Sequence, residues 1–82
     1  MKAKPLNPEL LKYLRKHNLK KKFNRQLSVF QNNPRHPSLH TEILSPKHLK
    51  IYSFRIDRKY RAIFILSSSN LAEIVDINDH YQ

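Results

Sequence analysis

Ile51-Tyr52-Ser53-Phe54-Arg55-Ile56-Asp57-Arg58-Lys59-Tyr60-Arg61-Ala62-Ile63-Phe64-Ile65-Leu66 alternates twice. Successive side chains of a strand point to opposite sides, so Tyr52, Phe54 and Ile56 share one face, with Ser53, Arg55 and Asp57 on the other. After the polar break Asp57-Arg58-Lys59, Tyr60, Ala62, Phe64 and Leu66 alternate with Arg61, Ile63 and Ile65. Two β-rich runs divided by so short a break predict an antiparallel hairpin. The second run is apolar on both faces, the pattern of a strand central in its sheet and covered on both sides. Arg55 and Arg61 are the exceptions. A guanidinium drawn even partly out of water is costly unless something anionic meets it, so these two raise the question of function.

Upstream, Asn7-Pro8-Glu9 is a helix start, with Asn as N-cap, Pro at the first helical position and an acid in the first turn. Leu10, Leu11 and Leu14 give an apolar stripe that His17-Asn18 breaks, Asn18 being a left-handed C-cap or the next N-cap. Leu19, Phe23, Leu27 and Phe30 recur at helical spacing and define a second helix, which Asn32-Asn33-Pro34 ends. Met1–Leu6 is a candidate edge strand, Pro34–Ser38 a loop, Leu39–Leu44 a candidate strand and Ser45–His48 a turn. Beyond the hairpin, Ser67–Asn70 is a flexible tract and Leu71–Ile77 a final strand. With no glycine in the chain, Asn, Asp, Ser and Pro must make the turns. The reading is an α+β domain spanning residues 1–82: a short N-terminal strand and an α-hairpin packed on a mainly antiparallel four-stranded sheet.

The 82 residues allow one small core, and the absence of cysteine excludes disulfides and thiolate metal sites. The apolar run Ala62–Leu66 is too short to span a bilayer, and the N-terminal lysines are followed by no apolar core. A cytoplasmic protein without membrane contact is expected. The net charge is +10, and it is uneven: residues 1–34 hold nine basic residues and one acidic, residues 35–82 seven and five. Such a surface favours polyanions through counterion release, with an acidic protein as the competing partner. Spacing among the five histidines suggests no metal site, and without glycine there is no phosphate-cradling loop. No small-molecule cofactor is expected.

His36-Pro37-Ser38-Leu39, Leu44, the run Tyr52–Phe64 and the ending Ile74-Val75-Asp76-Ile77-Asn78-Asp79-His80-Tyr81 together resemble the RelE/ParE superfamily of bacterial type II toxins. The order of elements agrees, so the resemblance covers nearly the whole chain. Its most specific part is the strand–turn–strand block with Arg55 and the Tyr60-Arg61 pair. In the catalytic branch it implies a metal-independent endoribonuclease that cuts messenger RNA on the ribosome, and a cognate acidic antitoxin that wraps a helix or strand around it. The superfamily also holds ParE-like gyrase inhibitors that cut nothing, and fold does not choose between branches; a degenerate member that only binds antitoxin or RNA is a third reading.

By resemblance Arg55 aligns with the catalytic strand arginine and Arg61 with the arginine of the Tyr-Arg motif; the alternative for both is an ion pair with Asp57, Glu73 or Asp76. His80-Tyr81 resembles the His-Tyr ending of YoeB-like members, with His80 as acid or base and Tyr81 stacking on a base; the alternative is a frayed tail. Gln82 departs from that ending. Glu42 stands thirteen residues before Arg55, about where YoeB-like toxins carry a catalytic glutamate, which implies a general base; many relatives carry a basic residue there, and the alternative is a surface carboxylate paired with a lysine. Lys47, His48 and Lys50 either grip RNA backbone or solvate a turn. Lys20, Lys21, Lys22 and Arg25, on the second helix, are candidates for ribosomal RNA contact. His36 and His40 read as loop-packing residues.

Overall fold

Five strands form one sheet in the computed structural model, which describes residues 1–80. In chain order they are β1 (Lys2–Ala3), β2 (Glu42–Ile43), β3 (Tyr52–Arg55), β4 (Arg61–Ser68) and β5 (Leu71–Asn78), with helices α1 (Pro8–Lys16) and α2 (Lys20–Asn32) between β1 and β2. The spatial order is β1-β5-β4-β3-β2, with β1 parallel to β5 and every other pair antiparallel.

The sheet therefore has five strands rather than four. Lys2 and Lys4 donate their backbone N–H groups to the Asn70 and Ala72 carbonyls, each at 2.9 Å, so two residues suffice to extend the sheet beyond β5. A strand that short has no alternation to read. The Leu39–Leu44 expectation is also corrected. Pro37–Leu39 is a turn of 3-10 helix, His40 is left-handed at φ 43°, and only Glu42–Ile43 pairs with β3. His36 Nδ1 accepts the Ser38 N–H at 3.1 Å, which favours the turn over extension and lets Leu39 reach the core.

The helices form as their caps dictate. Asn7 Oδ1 accepts the Leu10 N–H at 2.9 Å, Pro8 opens α1, and Asn18 is left-handed at φ 55° between the helices. Leu10, Leu14, Leu19, Phe23 and Phe30 bury against Phe54, Ala62, Phe64, Ala72, Ile74 and Ile77 on one sheet face. Phe30 is the hub, with ring centroids 5.1 Å from Phe54 and 5.0 Å from Phe64. Each such pair adds about 0.5–1.5 kcal/mol beyond its buried area.

β4 is central, as its two-faced apolarity predicts, but its coverage is uneven. Arg61 to Phe64 are buried, whereas Leu66 is 42 % exposed. Ile63 is buried outside the main core, on the sheet face turned away from the helices. That second face carries the candidate site.

Candidate functional site

Strand register arranges the site in two rungs. Glu42 on β2 faces Ser53 on β3, Ser53 faces Ile63 on β4, and Ile63 faces Asp76 on β5. In the next rung Arg55 faces Arg61, and Arg61 faces Asn78. Residues two apart on a strand share a face, so Glu42, Ser53, Asp76, Arg55, Arg61 and Asn78 lie on one surface. Glu42 is the diagonal neighbour of Arg55, about 7–8 Å away in a regular antiparallel pair.

The two arginines differ in environment. Arg61 is 5 % exposed, and its Nε donates to Ser53 Oγ at 2.9 Å. Its Nη2 donates to the backbone carbonyls of His40 and Ser53. All three acceptors are neutral. Burial pushes the Arg61 pKa below its ordinary value; Glu42 acts to raise it, and Arg55 opposes Glu42. An arginine nevertheless stays charged at any physiological pH.

Arg55 is half-buried, and its guanidinium has no hydrogen bond or ion pair among the described residues. Its backbone carbonyl accepts from Gln26 Nε2 at 2.8 Å, which fixes β3 against α2.

The ion pairs that Asp57, Glu73 or Asp76 could have offered these arginines do not form. Asp57 pairs with Lys22 at 3.2 Å and Glu73 with Lys4 at 3.4 Å, while Asp76 accepts from Asn78 at 2.7 Å. Like charges directly opposite in a sheet repel, so the Arg55–Arg61 pair concentrates positive charge, with Glu42 the carboxylate that acts against it. It suits an anion with several oxygens, since guanidinium forks match phosphate geometry.

His80 lies two residues beyond Asn78 and is exposed; its ring Nε2 is 3.9 Å from an Asp79 carboxylate oxygen. Tyr81 lies outside the described residues. Lys47 and His48 occupy a 3-10 turn (Lys47–Leu49), and Lys50 is left-handed at φ 53°. All three are exposed before the Tyr52 end of β3, which lies about 10 Å along the strand from Arg55. Lys20, Lys21, Lys22 and Arg25 are exposed on the helical layer, near the other end of β3. Lys22 is tied to Asp57. Among the described residues no group of three histidine, aspartate or glutamate side chains could hold a metal.

Sequence reasoning missed Ser53, Asn78 and the His40 carbonyl, and gave Asp76 only as an ion-pair partner for the arginines. Ser53 carried a signal, because it precedes Arg55 by two residues and must share its face. Asn78 carried a similar one relative to Asp76. The His40 carbonyl had none, since its place depends on a left-handed loop residue.

No protein-family model matches the sequence, and no curated protein does. Solved structures do. The YoeB/ParE toxin from Agrobacterium tumefaciens is 19 % identical, with TM-score 0.73 over 99 % of this chain and 100 % of that one. The fold is that of the RelE/ParE-superfamily toxins. The YoeB-YefM complex from Staphylococcus aureus matches this RelE/YoeB-like fold at 25 % identity and TM-score 0.69, over 98 % of this chain and 94 % of that one. YafQ from E. coli strain BL21(DE3) matches at 12 % identity and TM-score 0.72, over 96 % and 90 %.

Proposed function

We propose that this protein is the toxin of a type II toxin–antitoxin pair and cleaves messenger RNA on the ribosome without a metal. The observation that carries the reading is the Arg55–Arg61 rung. Two arginines, one buried and one with free donors, face each other across adjacent strands on the sheet face turned away from the helices, with a carboxylate residue, Glu42, one diagonal step from Arg55.

RNA supplies its own nucleophile. The ribose 2′-oxygen attacks the adjacent phosphorus while Glu42 takes its proton, forming a 2′-O–P bond. The P–O5′ bond breaks, and the leaving 5′-oxygen takes a proton from His80. The products are a 2′,3′-cyclic phosphate and a 5′-hydroxyl end. Negative charge grows on the phosphoryl oxygens in between, where pre-oriented donors are worth most. Arg61, held by Ser53 and the His40 carbonyl, keeps its charge in place throughout; Arg55, with free donors, grips the phosphate. Lys20, Lys21 and Arg25 on the helical side and Lys47, His48 and Lys50 beyond the far end of β3 extend the positive surface along ribosomal and messenger RNA. A soluble toxin with this surface acts in the cytoplasm, and an acidic antitoxin is the partner that such a charge calls for. The heterotetrameric YoeB-YefM toxin-antitoxin complex from Staphylococcus aureus offers the precedent.

The test is translation in a cell-free reaction, with mRNA 5′ ends mapped on engaged and on unengaged message. Cuts confined to translated mRNA, and slowed about 100-fold or more by Arg55→Ala or His80→Ala, support the reading. Intact mRNA together with inhibited DNA supercoiling replaces it with the gyrase-directed alternative.

A further inference from the structure

Asn78 ends β5, faces Arg61 across the sheet and is only 9 % exposed. The cleavage chemistry gives it no task, yet both polar atoms of its amide are engaged. Nδ2 donates to Asp76 Oδ2 at 2.7 Å, and Oδ1 accepts the backbone N–H of His80 at 3.1 Å. Asp76 is itself oriented, because its Oδ1 accepts the Ile77 N–H at 2.9 Å. A run of hydrogen bonds thus leads from the Ile77 amide through Asp76 and Asn78 to the His80 amide. Its sense is set by chemistry: an ionised carboxylate only accepts and a backbone N–H only donates, so the Asn78 amide has one orientation.

The location matters. The β4–β5 ladder ends at the Arg61–Asn78 pair, and among the described residues beyond it, Asp79 and His80, no strand pairing continues. A segment that leaves a sheet without a backbone tie samples more than one path. A proton donor that strays from the leaving oxygen is a poor one, since transfer needs hydrogen-bond reach.

We infer that Asn78 is a positioning residue for His80: its amide, oriented by Asp76, holds the backbone so that His80 leaves the sheet beside the Arg55–Arg61 rung. The inference rests on the reading of His80 as the proton donor. The side chain at position 78 must offer a donor to Asp76 and an acceptor to His80 together. Asn does so. Asn78→Ala offers neither, whereas the paired exchange Asp76→Asn with Asn78→Asp reverses the middle bond and keeps the acceptor for His80.

The experiment uses the full chain, ¹⁵N-labelled for the His80 amide resonance, and ribosome-dependent cleavage rates in parallel. Asn78→Ala is expected to move the His80 amide and raise its solvent exchange. It should lower the maximal cleavage rate about 10–100-fold, the scale of a misplaced reacting group, with the KM for mRNA unchanged. The paired exchange recovers both. In a His80→Ala background Asn78→Ala costs nothing more, because a group acting through His80 has nothing left to position. An unmoved His80 amide overturns the inference, and so does an equal loss in both backgrounds, which would mark Asn78 as a sheet residue. If the amide moves and recovers as expected while wild type cuts no mRNA, the positioning stands and the enzymatic reading of His80 falls.

Discussion

Arg61 donates its Nε–H to Ser53 Oγ at 2.9 Å, with both side chains buried on adjacent strands. Ser53→Ala removes the acceptor and leaves a charged donor dry and unpartnered. The cost is about 1–3 kcal/mol, the penalty for a buried polar group that loses its partner. Urea denaturation measures it, with the exposed Ser67→Ala as a control expected within about 0.5 kcal/mol of wild type. Equal midpoints for the two variants would mean that Ser53 does not hold Arg61.

Stability and activity should separate between the two arginines. The Arg55 side chain has no polar partner among the described residues and faces a like charge, so Arg55→Ala should leave the urea midpoint unchanged or slightly raised. The same variant should slow mRNA cleavage about 10²–10³-fold, the usual loss when one transition-state donor is removed. Arg61→Ala should do both kinds of damage, stranding Ser53 Oγ and the His40 carbonyl at a cost of at least about 1 kcal/mol. Arg61→Lys should not restore it, because one ammonium cannot span the acceptors that a planar fork reaches. An Arg55→Ala variant that unfolds as readily as Arg61→Ala would contradict this division.

The hairpin was legible because period-two alternation is a local signal, and the same alternation put Ser53 and Arg55 on one face. What period two cannot say is whether the polar face meets water. Ser53 is 0 % exposed because Arg61 covers it from the next strand, an arrangement that depends on register. The short N-terminal strand was expected within residues 1–6, but its pairing with β5 was out of reach, as was the 3-10 turn at Pro37–Leu39, because both are decided by backbone bonds to distant or unusual partners. The helices, by contrast, carry their caps in sequence, and Asn7, Pro8 and Asn18 act as they read.

Position on α2 predicts how each lysine contributes to RNA affinity. Lys20 and Lys21 are exposed with no ion pair among the described residues, while Lys22 is tied to Asp57 at 3.2 Å. The three open a helix whose N-terminus is already positive, an arrangement that costs stability and favours an anion. Lys20→Ala and Lys21→Ala should each flatten the dependence of log K on log salt by about 0.7 for every phosphate of single-stranded RNA that the variant no longer neutralises. Lys22→Ala should flatten it less. Fluorescence anisotropy of a labelled RNA across a salt series measures the slopes, and three equal slopes would remove the distinction.

Acid should weaken the β3–β4 turn through Asp57. Burial works to raise its pKa, but the Tyr60 and Lys59 N–H groups and the Lys22 ammonium outweigh burial and hold the carboxyl below its ordinary value. A depressed folded-state pKa means stability that is present above the unfolded pKa and lost as pH falls through the folded one. Asp57→Asn keeps an acceptor for the turn but not the charge. The stability gap between wild type and Asp57→Asn should therefore be constant near neutrality and close as pH falls below about 3.9, the unfolded value. It should be smaller throughout in a Lys22→Ala background, though not absent, since the turn N–H bonds remain. Thermal melts from neutral to acid pH read the gap directly, and one that persisted undiminished to about pH 2 would show that the turn does not depend on an ionised Asp57.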